Sequence, residues 1–155
     1  MSNIQLIRRS KVEYGKYTCS LYRGCGHGCR YCYARRIMRI SYPEWVKATP
    51  RIFSKRKLVK QLRGELSKHR GGEILMSFGC DPYQPIEAGY RLTRLAVSLL
   101  NEYRIPYAIL TKSDLVLEDE PVLDAKLCRV GFTITTMSED MKRYWEPYSP
   151  SMHDR

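Results

Sequence analysis

The chain has 155 residues, 43% of them hydrophobic, and a formal net charge of +11. That length suits one domain, 1–155, with a modest core. No run is long enough to span a bilayer and no signal peptide follows the polar Met1-Ser2-Asn3, so a cytoplasmic location is the expectation. The charge is lopsided. Residues 1–70 hold 18 Lys/Arg against 3 Asp/Glu, a net of +15, while residues 71–155 hold 9 against 13, a net of −4. A basic half suits an anionic partner, nucleic acid first, and a solvated basic face is the plain alternative.

Residues 1–16 mix Ile4, Leu6, Ile7 and Val12 with Arg8, Arg9, Lys11 and Lys16, which reads as an extended, partly ordered arm. Residues 17–22 are rich in β-formers and give a first strand. A glycine- and cysteine-rich loop follows, then a helix over 34–40 that Ser41 and Pro43 break. Residues 41–53 look irregular, with Trp45, Ile52 and Phe53 packing on the core edge. Ser54 is a good N-cap for a helix over 55–70, whose Leu58, Leu62 and Leu66 share one face with Val59 beside them. Gly71-Gly72 stops it.

Residues 73–78 form a short apolar run suited to a strand buried on both faces. A helix over 91–104 presents Leu92, Leu95, Ala96, Leu99 and Leu100. A third strand covers 107–110. Pro121 opens a helix to 127, a fourth strand covers 130–134, and 137–155 is a polar tail. Strands alternating with amphipathic helices predict an α/β fold with a parallel sheet and right-handed crossovers, as a doubly wound sheet or a (β/α) barrel. In either, function gathers at the C-terminal ends of the strands. The polar groups there are the loop cysteines, then Cys80 and Asp81, then Lys112, then Thr135 and Thr136.

Of six cysteines, Cys25, Cys29 and Cys32 fall within eight residues at C-x-x-x-C-x-x-C spacing. Such bunching without a leader points to metal binding in a reducing compartment rather than disulfides. Structural zinc normally takes four ligands, and His27 could serve as the fourth only in a tight loop. Three thiolates from one loop can instead hold three irons of a cubane iron–sulfur cluster, leaving the fourth iron open. Gly24, Gly26 and Gly28 let the backbone wrap closely around it.

With Tyr31 as the aromatic residue of C-x-x-x-C-x-aromatic-C, the loop resembles the signature of radical S-adenosylmethionine enzymes. The longer stretches 22–35, 81–87, 110–113 and 134–136, with Glu146-Pro147, Ser149-Pro150 and Arg155, are similar to the spore photoproduct lyase-related, DNA repair photolyase-like branch. The resemblance implies a [4Fe–4S] cluster on Cys25, Cys29 and Cys32. It also implies S-adenosylmethionine on the open iron, reductive cleavage to a 5′-deoxyadenosyl radical, and hydrogen abstraction, with lyase chemistry on nucleic acid as one outcome. It puts Tyr31 near the adenine, Cys80 and Asp81 near the methionine amino group, and Lys112, Thr133 and Thr135 along the rest of the cofactor. Cys80 and Tyr33 match a hydrogen-donating cysteine and a relay tyrosine of spore photoproduct lyase, and packing roles are the plain alternative for both. An electron donor of the flavodoxin or ferredoxin type is implied.

Gly71-Gly72-Glu73 imitates the family's methionine-binding element but stands before the second strand, so it reads as a helix stop. Cys19, Cys128, Met76, Met137 and Met141 read as core, and His69 and His153 as solvated. About four βα units are present where the family's partial barrel has six, so the fourth strand should expose an edge for a partner chain or a dimer mate to cover. The rival reading is a non-catalytic iron–sulfur or zinc module that binds nucleic acid, or a fragment needing a partner.

Overall fold

The computed structural model describes residues 4–10 and 15–155. In chain order the elements are β1 (Ile7–Arg9), β2 (Tyr17–Cys19), β3 (Tyr22–Arg23), α1 (Tyr33–Ile37), α2 (Tyr42–Val46), β4 (Thr49–Pro50) and α3 (Lys55–Leu66). There follow β5 (Ile74–Met76), α4 (Glu87–Tyr90), α5 (Leu92–Glu102), β6 (Tyr107–Thr111), a 3-10 helix (Asp114–Val122), β7 (Cys128–Phe132) and α6 (Glu139–Trp145).

The main sheet runs β1-β2-β5-β6-β7, and β3 pairs with β4 in a small second sheet. The β2–β5, β5–β6 and β6–β7 pairs are all parallel, as the alternation predicts. Ile74 and Met76 turn toward the helices and are fully buried, as are Tyr107 and Ile109 beside them. The α3 leucines 58, 62 and 66 and the α5 stripe Leu92, Ala96, Leu99 and Leu100 complete that layer. Burying one leucine contributes roughly 2 kcal/mol, so each of these leucines holds its helix to the sheet on that scale. The opposite face of the sheet is left to the functional cavity.

Several expectations change. Part of the arm is a strand: β1 pairs antiparallel with β2. The Glu65 carboxylate accepts from the Leu6 and Ile7 amides at 3.1 and 2.6 Å, satisfying edge donors that would otherwise need water. Lys11 and Val12 lie outside the described residues. Residues 41–53 are not irregular, because Ser41 caps α2 and Pro43 sits in its first turn, where no amide is needed. Trp45 is buried as expected, whereas Phe53 is 66% exposed. The helix expected over 121–127 lies earlier and is 3-10, started by Ser113, whose hydroxyl accepts from Leu115 N. The polar tail contains α6, capped by Ser138. Met76 is core, but Met137 and Met141 are exposed.

Glu87 is buried and stands in for an N-cap of α5. Its carboxylate accepts from the Leu92, Thr93 and Arg94 amides at 3.1, 2.8 and 3.3 Å and from the Tyr22 hydroxyl. β7 pairs with β6 alone among the described residues, and Val130 is exposed beside that open edge. No helix among the described residues is long and apolar enough to cross a membrane.

Candidate functional site

The cysteine loop lies beyond the C-terminal end of β2, and three other segments brace it. Gly24 has φ +81°, and a Cβ there would stand 2.4 Å from Trp45 O, so only glycine fits. Cys25 N donates to that same Trp45 carbonyl at 2.9 Å. From the β5 side, buried Gln84 accepts from Gly26 N at 2.7 Å and donates to Gly24 O at 3.3 Å. From the C-terminal side, Tyr148 N donates to His27 O at 3.3 Å and Arg30 N to Trp145 O at 2.9 Å. Buried His27 brings Nε2 within 3.3 Å of Asp81 and Nδ1 within 3.5 Å of Tyr148 O.

Cys25, Cys29 and Cys32 open into one cavity of about 260 Å³. Cys80, Asp81 and Lys112 line it from the ends of β5 and β6, and Thr133 from the end of β7. Tyr31 and Tyr33 line its mouth, where Tyr33 meets Phe78 at a ring separation of 6.1 Å. Burial raises three of the four thiols that line the cavity: Cys25 well above its usual value, Cys29 to about 11 despite the opposing pull of Lys112, and Cys80 to about 12.

Two carboxylates organise the walls. Asp81 Oδ1 accepts from Thr111 Oγ1 at 2.6 Å and Tyr83 N at 2.9 Å, and Oδ2 accepts from Lys112 N at 2.7 Å. Burial would raise its pKa, but His27, Thr111 and the Lys112 amide overcome that and hold it low. Glu146, fully buried, accepts from the Tyr31 hydroxyl, from Thr135 Oγ1 at 2.7 Å and from Arg155 Nη1 at 2.7 Å. Lys112 Nζ lies 3.4 Å from it and 6.0 Å from the Tyr31 ring centre. Burial opposes its charge, yet Tyr31, Thr135, Arg155 and Lys112 together hold Glu146 at about 2.

The cavity thus brings together Tyr31, Tyr33, Cys80, Asp81, Lys112, Thr133 and the three loop cysteines. Thr135 sits one step back, bonded to Glu146. The sequence reading assigned no role to Glu146 or Gln84, and gave Trp45 only packing at the core edge. Glu146 was quoted only as part of a recurring segment, and a glutamate in a polar stretch looks like any solvated one. Trp45 also lines the cavity, and its indole N–H is buried without an acceptor.

A parallel half-barrel with a three-cysteine loop over the strand ends defines a class, and the comparisons name it. Residues 19–153 match the family model of the Radical SAM superfamily, and the chain belongs to that family. An uncharacterized protein of Methanocaldococcus jannaschii is 35% identical over 153 residues, covering 96% of this chain and 56% of that protein. An uncharacterized protein of Mycobacterium tuberculosis is 32% identical over 111 residues, 70% of this chain and 33% of that protein. The chain therefore spans about half, or less, of the relatives it matches. A solved structure of a spore photoproduct lyase mutant with bound AdoMet and dinucleoside spore photoproduct superposes with TM-score 0.68 at 17% identity. It covers 96% of this chain and 42% of that one, and shows the fold.

Membership in this family assigns the chain a [4Fe–4S] cluster and S-adenosylmethionine as its cofactors. The residues fit the pair. Three thiols face one cavity, the orphan Trp45 N–H could donate to a cluster sulfide, and polar groups from three strand ends face the same space.

Proposed function

We propose that the chain is the radical-generating portion of an S-adenosylmethionine enzyme. Cys25, Cys29 and Cys32 hold the cluster, and the neighbouring cavity receives S-adenosylmethionine. When bound, the pair supplies one-electron cleavage of a sulfonium and a carbon radical for hydrogen abstraction. The observation that carries this reading is the convergence of the three thiols with Lys112 and Thr133 on one cavity.

The residues around the cavity divide the work. Lys112 offers an ammonium to a carboxylate-bearing ligand. Thr133 offers a hydroxyl, and the Tyr31 ring offers a flat face to a base. Asp81 acts by holding the Lys112 backbone and His27 in place, and Thr135 acts through Glu146. Cys80 stands in the wall as a neutral thiol, the form that can give up a hydrogen atom, and Tyr33 stands at the mouth. The apolar lining and the surrounding walls limit water.

The substrate we propose is nucleic acid. Its support is the basic first half, the exposed Tyr33–Phe78 pair at the mouth on which a base can stack, and the dinucleoside bound by the structural relative. A further polypeptide or second copy covering β7 is likewise proposed, on the strength of its open edge.

The test is anaerobic reconstitution, then iron and sulfide analysis, then assay of reductive S-adenosylmethionine cleavage. Four irons per chain and release of 5′-deoxyadenosine are expected. A Cys29→Ala variant that keeps a full cluster would overturn the ligand set, and an intact cluster without cleavage would reduce the protein to an iron–sulfur module.

A further inference from the structure

One buried donor on a cavity-lining side chain has no partner among the described residues. Trp45 is 1% exposed, and its indole Nε1–H meets no acceptor. A buried indole N–H ordinarily finds a partner, because leaving the bond unmade forfeits the one it had in water. Trp145, the other tryptophan, is 38% exposed and can bond to water. Of the buried side-chain polar atoms without a hydrogen-bond partner among the described residues, only those of Trp45 and His27 belong to residues that line the cavity. His27 Nε2 faces Asp81 at 3.3 Å, which leaves Trp45 unexplained.

The fold fixes this residue from two sides. Trp45 lies in the last turn of α2, where its own N donates to Ser41 O at 2.8 Å. Its carbonyl accepts from Cys25 N at 2.9 Å, in the space that Gly24 leaves by lacking a Cβ. Trp45 packs with Cys25, Ala34 and Ile40, and Cys32 and Cys80 pack against the same group. Its neighbourhood is therefore rich in sulfur. Asp81, the carboxylate that lines the same cavity, already accepts from Thr111 Oγ1, Tyr83 N and Lys112 N. The acceptor for the indole is something that the cavity receives.

We propose that Trp45 Nε1–H donates to a sulfur of the cluster held by Cys25, Cys29 and Cys32, and that this bond raises the cluster's reduction potential. The inference rests on the ligand set proposed above. The reduced cluster carries one more negative charge than the oxidised one. A donor at its sulfur stabilises the reduced form more, so the cluster accepts an electron more readily. A chain without that N–H needs a stronger reductant for the same electron. The proton stays on the indole throughout. S-adenosylmethionine would bring acceptors of its own, but the groups offered to it, Lys112 and Thr133, follow β6 and β7, whereas Trp45 stands on α2 among the cysteines.

The test compares the reconstituted parent with Trp45→Phe and with a chain in which benzothienylalanine replaces Trp45. That analogue keeps the fused-ring shape and loses only the N–H. Redox titration followed by electron paramagnetic resonance should give both variants a more negative midpoint than the parent, with and without S-adenosylmethionine. In a Trp145→Phe background, nitrogen-15 in the indole labels Trp45 alone, and the reduced cluster should show a hyperfine coupling to it. An unchanged midpoint in the benzothienylalanine chain overturns the proposal, as does the absence of that coupling. A shift seen only with S-adenosylmethionine bound gives the N–H to that ligand and overturns it too. If Trp45→Phe loses iron, the benzothienylalanine chain and the labelled Trp145→Phe chain still decide. A parent that assembles no four-iron cluster overturns the function proposed above and this inference with it, whereas an unshifted midpoint on a full cluster overturns this inference alone.

Discussion

Arg155 and Glu146 form a fully buried ion pair, Nη1 to Oε2 at 2.7 Å, which closes the C-terminal segment over the cysteine loop. Arg155 also donates to Pro150 O at 3.0 Å, to Thr133 O at 3.3 Å and to the Ser149 hydroxyl. Removing one partner of such a pair strands the other charge, at a cost of about 3–5 kcal/mol. Arg155→Met should therefore lower stability in anaerobic urea unfolding by about that amount. Adding Glu146→Gln should recover part of the loss. A single variant as stable as the parent would contradict the burial of the pair.

The same carboxylate predicts a pH dependence. Its pKa falls from the ordinary 4.5 to about 2 on folding. A depressed acid stabilises the fold fully above its unfolded value, and that stability drains away as pH falls through 4.5 toward 2. The ceiling is about 3 kcal/mol. The difference in unfolding free energy between parent and Glu146→Gln should shrink across that window, measured on the cluster-free protein by denaturant titration at pH 7, 4 and 3. A difference constant with pH would rule this out.

Gln84 is the cheapest place to loosen the loop without touching a cysteine. Its amide serves both Gly26 N and Gly24 O, so Gln84→Leu leaves two backbone groups to find other partners, at about 1–3 kcal/mol. The variant should still fold on the strength of the α3 and α5 leucines. Its cluster should bleach several-fold faster in the presence of an iron chelator, followed by visible absorbance.

Gly28→Ala meets both obstacles of its site. Its φ of +62° is costly for alanine by about 1–2 kcal/mol. Its new methyl would also press on Tyr148. Reduced iron loading is expected, with the helical far-ultraviolet signal retained. A companion Tyr148→Ala substitution should restore part of the loading by making room.

The sequence made some of this visible and hid the rest for physical reasons. Periodicity alone identifies Leu58, Leu62 and Leu66, because a helix that packs one face must repeat it. Spacing singles out Cys25, Cys29 and Cys32, which share one cavity, because residues of a single loop are brought together by local geometry. Glu146 was hidden, because its partners at Tyr31 and Lys112 are remote in the chain and nothing in its neighbours announces burial. The α6 helix was missed even though its signs are local: a serine cap, Glu139 and Asp140 in the first turn, Lys142 and Arg143 in the last. Phe53, Met137 and Met141 show the reverse error, where apolar residue type was taken as burial.

The bonds that fasten the cysteine loop are among the longest-range in the molecule. Tyr31 and Glu146 are 115 residues apart in sequence, and His27 and Tyr148 are 121 apart. Contacts so distant form after the local ones, since closing the intervening chain costs entropy that only an assembled sheet can offset. The loop should thus be among the last of the described elements to order, although its cysteines are made before α6. In pulse-labelled hydrogen exchange, the Gly28 and Arg30 amides should gain protection after those of β5 and β6. On a ribosome this means the thiols stay open to solvent until α6 arrives to shut them in.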